Sequence, residues 1–263
     1  MKTEALGWRG VDRAARPGAL WTLVRTDFKT RYRPTIGGFA WALLKPLAMF
    51  VVLLAVFSLV FPSEPQYRLN LIIGLFVWDF FAEATKVGLV SIRAKGFLLT
   101  KARFPPWILV VTSTANALLT LGVFCVIIGG FLVTSGRPPT PVAVALFALY
   151  LLHLLAIVIG FSLAASVLFL RYRDLNQVWD VVIQAGFFVA PIVYPLGVLP
   201  ERVHALIYLW PPTPIIQFSR LVLVDGVVPT ARAHALLTLG TLVILATGVV
   251  IQRRYAPQAA EHL

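Results

Sequence analysis

The chain has 263 residues, of which 59% are hydrophobic and 13% charged, and it carries a formal net charge of +12. A soluble domain has about 25% charged residues and hides its apolar surface in one core; so little polar surface excludes a water-soluble globule and leaves lipid as the solvent. The excess of Lys and Arg falls in short segments beside apolar runs, the pattern of topology signals and anionic-lipid contacts, and not that of a nucleic-acid surface.

The first apolar run starts at Phe39, after a long basic segment, so a cleavable signal peptide is not expected. Within that segment Trp21, Val24, Phe28 and Tyr32 recur at helical spacing. Arg25, Lys29 and Arg33 form a second stripe, and Asp27 stands four residues before Arg31. This pattern predicts a basic amphipathic helix lying in the membrane interface, with Trp21, Arg25, Phe28, Lys29, Arg31 and Tyr32 as its anchors.

A membrane-crossing helix needs about 20 predominantly apolar residues. Six stretches are read as spans: Phe39–Phe61, Leu69–Ile92, Pro106–Val133, Val142–Leu170, Val178–Pro195 and Ala233–Ile251. Lys and Arg alternate between the connections. Eight precede the first span; Arg93, Lys95, Lys101 and Arg103 follow the second; Arg171 and Arg173 follow the fourth; Arg253 and Arg254 follow the sixth. The other connections hold Arg68, then Arg137, then Arg202, Arg220 and Arg232. By the positive-inside rule both termini are expected in the cytoplasm. The expected architecture is an all-α integral membrane protein with six transmembrane helices and an N-terminal interface helix. Its parts are a cytoplasmic N-terminus (1–38), a transmembrane domain (39–252) and a cytoplasmic tail (253–263).

The connection from Pro195 to Arg232 is too apolar for a solvated loop, and Pro200, Pro211, Pro212 and Pro214 cut it. Proline removes a helix hydrogen bond and clashes with the preceding turn, so one spanning helix is excluded here and two short re-entrant helices are expected.

Charges inside spans are costly and mark function. Asp79, Glu83 and Lys86 lie at i, i+4 and i+7 in the second span. They share a face on which opposite charges can neutralise one another, either as a structural cluster or, with Trp41 and Trp78, as part of a polar translocation path. Lys45 sits near the inner end of the first span, where its stem can snorkel. Asn116, His153 and Gln184 read as helix–helix hydrogen-bonding residues. Most of the aromatic residues read as interface belts. Cys125 is the sole cysteine, lies in an apolar run and reads as an inert thiol. No phosphate-binding G-x-x-x-x-G-K-[ST] loop, nucleophile elbow or metal-ligand spacing is present.

Several patches, in order, resemble one family. They are Asp27-Phe-Lys-Thr-Arg31-Tyr-Arg33, then Gly38-Phe-Ala-Trp41-Ala-Leu-Leu-Lys45-Pro46-Leu47, then Gly74-Leu-Phe-Val-Trp78-Asp-Phe-Phe81 and Phe104-Pro105. Further on come Arg171-Tyr-Arg-Asp174-Leu175, Gly186-Phe-Phe188, Pro191, Tyr194-Pro195, and Pro211 with Arg220 nine residues later. Together they resemble the membrane subunit of bacterial ABC exporters of cell-surface polysaccharides: O-antigen, capsule and teichoic acid permeases. Lys45 and Trp210 stand where the family carries Asn, and Pro34 interrupts the basic stretch.

The resemblance implies a homodimer in the bacterial plasma membrane, moving a lipid-linked glycan. It also implies a separate cytoplasmic ATPase subunit that binds Mg-ATP, so this chain itself is expected to hold no cofactor and perform no covalent chemistry. Arg93, Lys95, Lys101, Arg103 and Phe104 would then form the coupling segment docked on that ATPase. Pro191, Tyr194, Pro195, Tyr208, Trp210, Pro211 and Arg220 would form an outer gate. Competing readings are an exporter subunit for another amphiphile such as a drug or lipid, a membrane enzyme acting on polyprenyl-phosphate sugars through Asp174 and Asp180, and a structural assembly subunit.

Overall fold

The computed structural model describes residues 22, 24–26, 37–62, 64, 66–96 and 105–259. Among these there is no strand. The helices are α1 (Ala40–Val60), α2 (Tyr67–Ala94), α3 (Pro106–Thr134), α4 (Pro141–Arg171), α5 (Leu175–Val189), α6 (Glu201–Tyr208), α7 (Pro212–Arg220) and α8 (Ala231–Ala259). A 3-10 turn at Leu196–Val198 precedes α6, and a π-turn at Leu221–Asp225 follows α7. Of the expected interface helix, Thr22 and residues 24–26 are helical, and Arg25 is exposed. Trp21, Phe28, Lys29, Arg31 and Tyr32 lie outside the described residues.

Among the described residues, four helices are long and apolar enough to cross a membrane: α1, α3, α4 and α8 over Ala231–Ala256. The chain is a multi-pass membrane protein. α2 has 28 residues, about 42 Å at 1.5 Å per residue, but Asp79, Glu83 and Lys86 lower its hydropathy. It lies at the centre, packed against α1, α3, α4, α5 and α7. Protein therefore covers most of its surface, and Leu71, Ile72, Ile73 and Phe76 have no exposed surface. The Phe76 ring stacks on Phe124 of α3 with centroids 4.2 Å apart.

The fifth expected span is shorter than the sequence suggested. α5 has 15 residues, about 22 Å, less than a hydrocarbon core of about 30 Å. It stops where Ala190 turns extended (ψ 132°), because the residue before a proline, here Pro191, is pushed out of the helical region. α8 runs beyond the expected end at Ile251 through Arg253 and Arg254; the loss of hydropathy there marks the end of the apolar segment and not of the helix. α6 and α7 occupy the proline-cut connection as two short helices, with Pro211 and Pro212 at the start of α7.

Two ends follow from the connectivity. One gathers the α1–α2 and α3–α4 connections and the whole stretch from α5 to α8. The opposite end carries the α2–α3 and α4–α5 connections and the end of α8, with Arg93, Lys95, Arg171, Arg173, Arg253 and Arg254.

α8 packs chiefly along α4. The crossing is close because two glycines meet: a Cβ on Gly248 would collide with the Gly160 carbonyl oxygen, and one on Gly160 would come within 2.7 Å of the Leu245 Cα. Small residues let helices approach backbone to backbone in lipid, where apolar side chains gain nothing by leaving the solvent. Two hydrogen bonds flank the crossing: Tyr150 Oη with His234 Nε2 at 2.9 Å and His153 Nε2 with Thr238 Oγ1 at 3.2 Å. Gly248→Val is expected to cost about 1–3 kcal/mol by overpacking. It should lower the thermal midpoint of the detergent-solubilised chain. Gly240→Val is the control on the same helix, where a Cβ meets nothing within 4 Å, and should shift stability by no more than about 0.5 kcal/mol.

Candidate functional site

The polar residues of the bundle fall into two groups, one along α2 and α5 and one at the loop-rich end. On α2 Asp79 is half-buried, while Glu83 and Lys86 are exposed. Lys45 of α1 acts electrostatically on Asp79. Lys86 finds its partner on another helix: its Nζ donates to Asp180 Oδ1 of α5 at 2.6 Å. The charges of this face are thus neutralised partly between helices, where the sequence suggested pairing within one. The orientation of α5 explains this. Trp179, next to Asp180, stacks on Phe161 of α4 with centroids 4.0 Å apart. Its indole Nε1 also donates to Thr85 Oγ1 of α2 at 3.1 Å. With Trp179 pinned, Asp180 faces Lys86. Gln177, Asp180 and Gln184 follow one another at i, i+3 and i+7 on α5, so they share a side, and both glutamines are exposed. Asp180 and Thr85 were not singled out from the sequence as a contact between α2 and α5. The only sequence cue was an acid and a base each set in an apolar helix.

The tryptophans divide. Trp41 is 60% exposed at the start of α1, while Trp78 is 5% exposed. Trp78 packs on Phe81, Phe187 and Trp210 with centroids 5.8, 5.9 and 6.3 Å away. Gly186 makes room for this cluster, since a Cβ there would lie 2.5 Å from the Trp210 ring. Trp78, Phe80 and Phe81 therefore belong to the core and not to an interface belt, because α2 is central.

At the loop-rich end Arg220, on the last turn of α7, is 6% exposed. Its guanidinium donates to three carbonyls: Nε to Asn70 O at 2.9 Å, Nη1 to Pro191 O at 2.6 Å, and Nη2 to Ile192 O at 2.9 Å. The planar fork of arginine suits such a set. The guanidinium occupies the space that a Cβ on Gly74 would take. The second carbonyl group is free to accept because Pro191 ends α5 and turns it toward α7. Tyr194 Oη lies 2.9 Å from Phe188 O and 3.1 Å from Val189 O, donating to the last carbonyls of α5. Tyr67 Oη donates to Val193 O at 2.7 Å. Arg137, from the α3–α4 connection, donates to Val224 O in the π-turn at 2.8 Å. With the Gln66 amide turned so that its oxygen faces Arg137, that oxygen accepts from both Arg137 Nη atoms at 2.8 Å. Tyr208 packs on Phe218 with centroids 6.3 Å apart. Gln66, Tyr67 and Arg137 were not among the expected site residues, because each acts on a segment far away in sequence.

At the opposite end, Arg93 is exposed and its guanidinium lies 5.7 Å from the Phe169 ring centroid. Lys95 follows the end of α2. Lys101, Arg103 and Phe104 lie outside the described residues, as does the side chain of Asn116. Asp180, paired with Lys86 and accepting from Asn176 Nδ2 at 3.5 Å, is already engaged in helix packing.

Replacing Arg220 leaves three carbonyls without their donor. Arg220→Met is expected to destabilise by roughly 3–5 kcal/mol, seen as a lowered thermal midpoint in detergent. Arg220→Lys should recover only part of this, since a single ammonium cannot reproduce the fork.

The family model for the ABC-2 type transporter matches residues 18–224. An O-antigen export system permease protein of Myxococcus xanthus is 29% identical over 190 residues, covering 70% of this chain and 71% of its own. One from Klebsiella pneumoniae is 28% identical, covering 78% of this chain and 80% of its own. A polysialic acid transport protein of Escherichia coli is 24% identical, covering 86% and 89%. The family model runs from before α1 to Val224 in the π-turn and so includes both polar groups; the chain belongs to the ABC-2 type transporter membrane family.

Proposed function

We propose that this chain is the permease subunit of an ATP-driven exporter that moves a lipid-linked polysaccharide across the bacterial plasma membrane. The observation that carries this reading is the polar face shared by α2 and α5. Asp79, Glu83 and Lys86 share one face of α2 and Gln177, Asp180 and Gln184 one face of α5; the Lys86–Asp180 pair joins them, Lys45 of α1 acts on Asp79, and the other helices expose mainly apolar residues. Ionisable and amide groups at that depth are expensive against lipid and are retained where they face a wet path. A glycan is covered in hydroxyls, and amides and paired charges exchange hydrogen bonds with it without holding it tightly.

In this reading α2 crosses the bilayer, α5 together with the extended segment 190–195 makes the remaining one of six crossings, both termini lie in the cytoplasm, and α6 and α7 dip into the outer leaflet as the outer gate. Two copies of the chain face each other across the path. The exposed apolar side of α1, which includes Leu44, Val52, Val56 and Leu59, and the exposed side of α5 supply the surface for lipid and for the second copy. The lack of a phosphate-binding loop in the sequence fits a division of labour, with Mg-ATP hydrolysed by a separate cytoplasmic ATPase. That subunit would dock on the basic segment Arg93–Phe104 and, on closing, push the two halves apart to open the path.

The test is a detergent pull-down with the ATPase encoded beside this gene, followed by ATPase activity in lipid. A stable complex is expected, with turnover falling on the order of tenfold when residues 93–104 are scrambled, a coupling loss of about 1.4 kcal/mol. A chain that purifies alone, with turnover of the added ATPase unaffected by the scramble, rejects the exporter reading.

A further inference from the structure

α4 and α8 run parallel and keep one register along their length. Tyr150 pairs with His234 and His153 with Thr238, 84 and 85 residues apart in sequence. Gly160 meets Leu245 and Gly248, and Val249 and Tyr255 pack on the cluster that holds Val167 and Leu170. Parallel packing brings the C-terminal ends of both helices to one side of the bilayer. At this offset Arg253 and Arg254 stand level with the last turn of α4, beside Arg171 and just short of Arg173. All four arginines are exposed. Antiparallel neighbours would have kept the two pairs a bilayer apart.

Four guanidinium groups gathered in one place repel one another and call for anions. Asp174 is the one carboxylate among the described residues of the α4–α5 connection, and Asp180, further along α5, is held by Lys86. Among the described residues Arg171, Arg173 and Arg254 make no ion pair. Two of them lie over rings instead: the Arg171 guanidinium is 5.6 Å from the Tyr172 centroid, and that of Arg254 is 5.9 Å from the Tyr255 centroid. Such a contact uses the charge and spends no N–H donor. The fork therefore stays open for a phosphate, which it holds by two parallel hydrogen bonds.

The surface leading to these arginines suits acyl chains. Leu239, Val243, Val250 and Arg254 recur at i, i+4, i+11 and i+15 along α8, so they share one side of it. The three apolar residues are 59, 55 and 63% exposed. That side passes from residues facing lipid directly into a guanidinium at the helix end. Tyr172 and Tyr255 set their rings where aromatic residues meet head groups. A soluble anion gains nothing from an apolar approach, whereas an anionic phospholipid carries both parts in the right order. Two helix ends with two arginines each match a head group with two phosphates, and basic pockets between helix ends on the cytoplasmic side take cardiolipin.

We infer that the joined ends of α4 and α8 form a binding site for an anionic phospholipid with two phosphates, cardiolipin. The site stands whether or not the chain exports a polysaccharide. The full-length chain in a neutral detergent is titrated with cardiolipin, phosphatidylglycerol or phosphatidylcholine, with inorganic pyrophosphate as a competitor. Bound lipid is counted by native mass spectrometry, and the thermal midpoint is followed in parallel. Cardiolipin is expected to bind and raise the midpoint at a phosphate concentration on the order of tenfold lower than phosphatidylglycerol, because its second phosphate binds intramolecularly. Phosphatidylcholine should do neither, and pyrophosphate should not displace the lipid. Arg171→Gln combined with Arg254→Gln should weaken cardiolipin binding on the order of tenfold and leave the lipid-free midpoint unchanged, since both side chains are exposed. Arg232→Gln, at the other end of α8 and also exposed, should leave binding unchanged. Equal binding of cardiolipin and phosphatidylcholine overturns the inference, as does parity with phosphatidylglycerol per phosphate or displacement by pyrophosphate. It is also overturned if the double variant binds as the parent does, or if Arg232→Gln weakens binding as much, which would reduce the effect to overall charge. Loss of ATPase recruitment by the double variant with cardiolipin binding intact assigns these arginines to the protein partner and overturns it too.

Discussion

The loop-rich end of this protein depends on the Arg220 guanidinium. Three backbone carbonyls from two distant segments point at one buried cation. Without it the start of α2, the broken end of α5 and the last turn of α7 have no common partner. A charged group is costly to bury unless it is hydrogen-bonded, and the fork of arginine supplies several donors in one plane. The geometry in turn demands Gly74, because any Cβ there would occupy the space of the guanidinium, and Pro191, which ends α5 so that its carbonyl is free. One glycine, one proline and one arginine thus define how this end of the bundle packs.

The long helices follow a different rule. In lipid there is no gain from burying leucine against leucine, so the helices meet where backbones approach closely or where polar groups find each other. Gly160 and Gly248 provide the first at the α4–α8 crossing, with the Tyr150–His234 and His153–Thr238 contacts beside it. Thr85–Trp179 and Lys86–Asp180 provide the second between α2 and α5. α5 is too short to cross a membrane alone in the observed form, and its position is set by these contacts. The same contacts leave its two glutamines and the acidic face of α2 open on one side. Packing and the proposed path are therefore two sides of one arrangement: the indole that anchors α5 also aims Asp180.

Much of the fold was legible along the chain. Hydropathy located α1, α3 and α4 to within a residue or two, because lipid imposes a length and a composition that need no tertiary information. Proline positions marked the break into α6 and α7, since a missing N–H acts locally. The end of α5 was misplaced because hydropathy continues through Ile192 and Val193 while the backbone obeys Pro191. The end of α8 was misplaced because a helix does not stop where its apolar residues do. The partner of Lys86 was not legible: a helix face shows which charges are neighbours on that helix, and not which helix will be turned toward it.

By itself, the sequence determined that this is a multi-pass helical membrane protein, where most of its apolar helices lie, and to which family of patches it is similar. These follow from composition, from periodicity and from prolines, all of which act over a few turns of chain. Only the tertiary structure decided that Arg220 reaches Asn70 across 150 residues of sequence and that Lys86 pairs with Asp180 across 94. It also decided that Trp78 is core and that Asn70 Oδ1 and Gln217 Nε2 are buried without a partner. Those outcomes depend on which helix faces which. That is set by close backbone contacts and the satisfaction of buried polar groups, and neither is written in any short stretch of the chain.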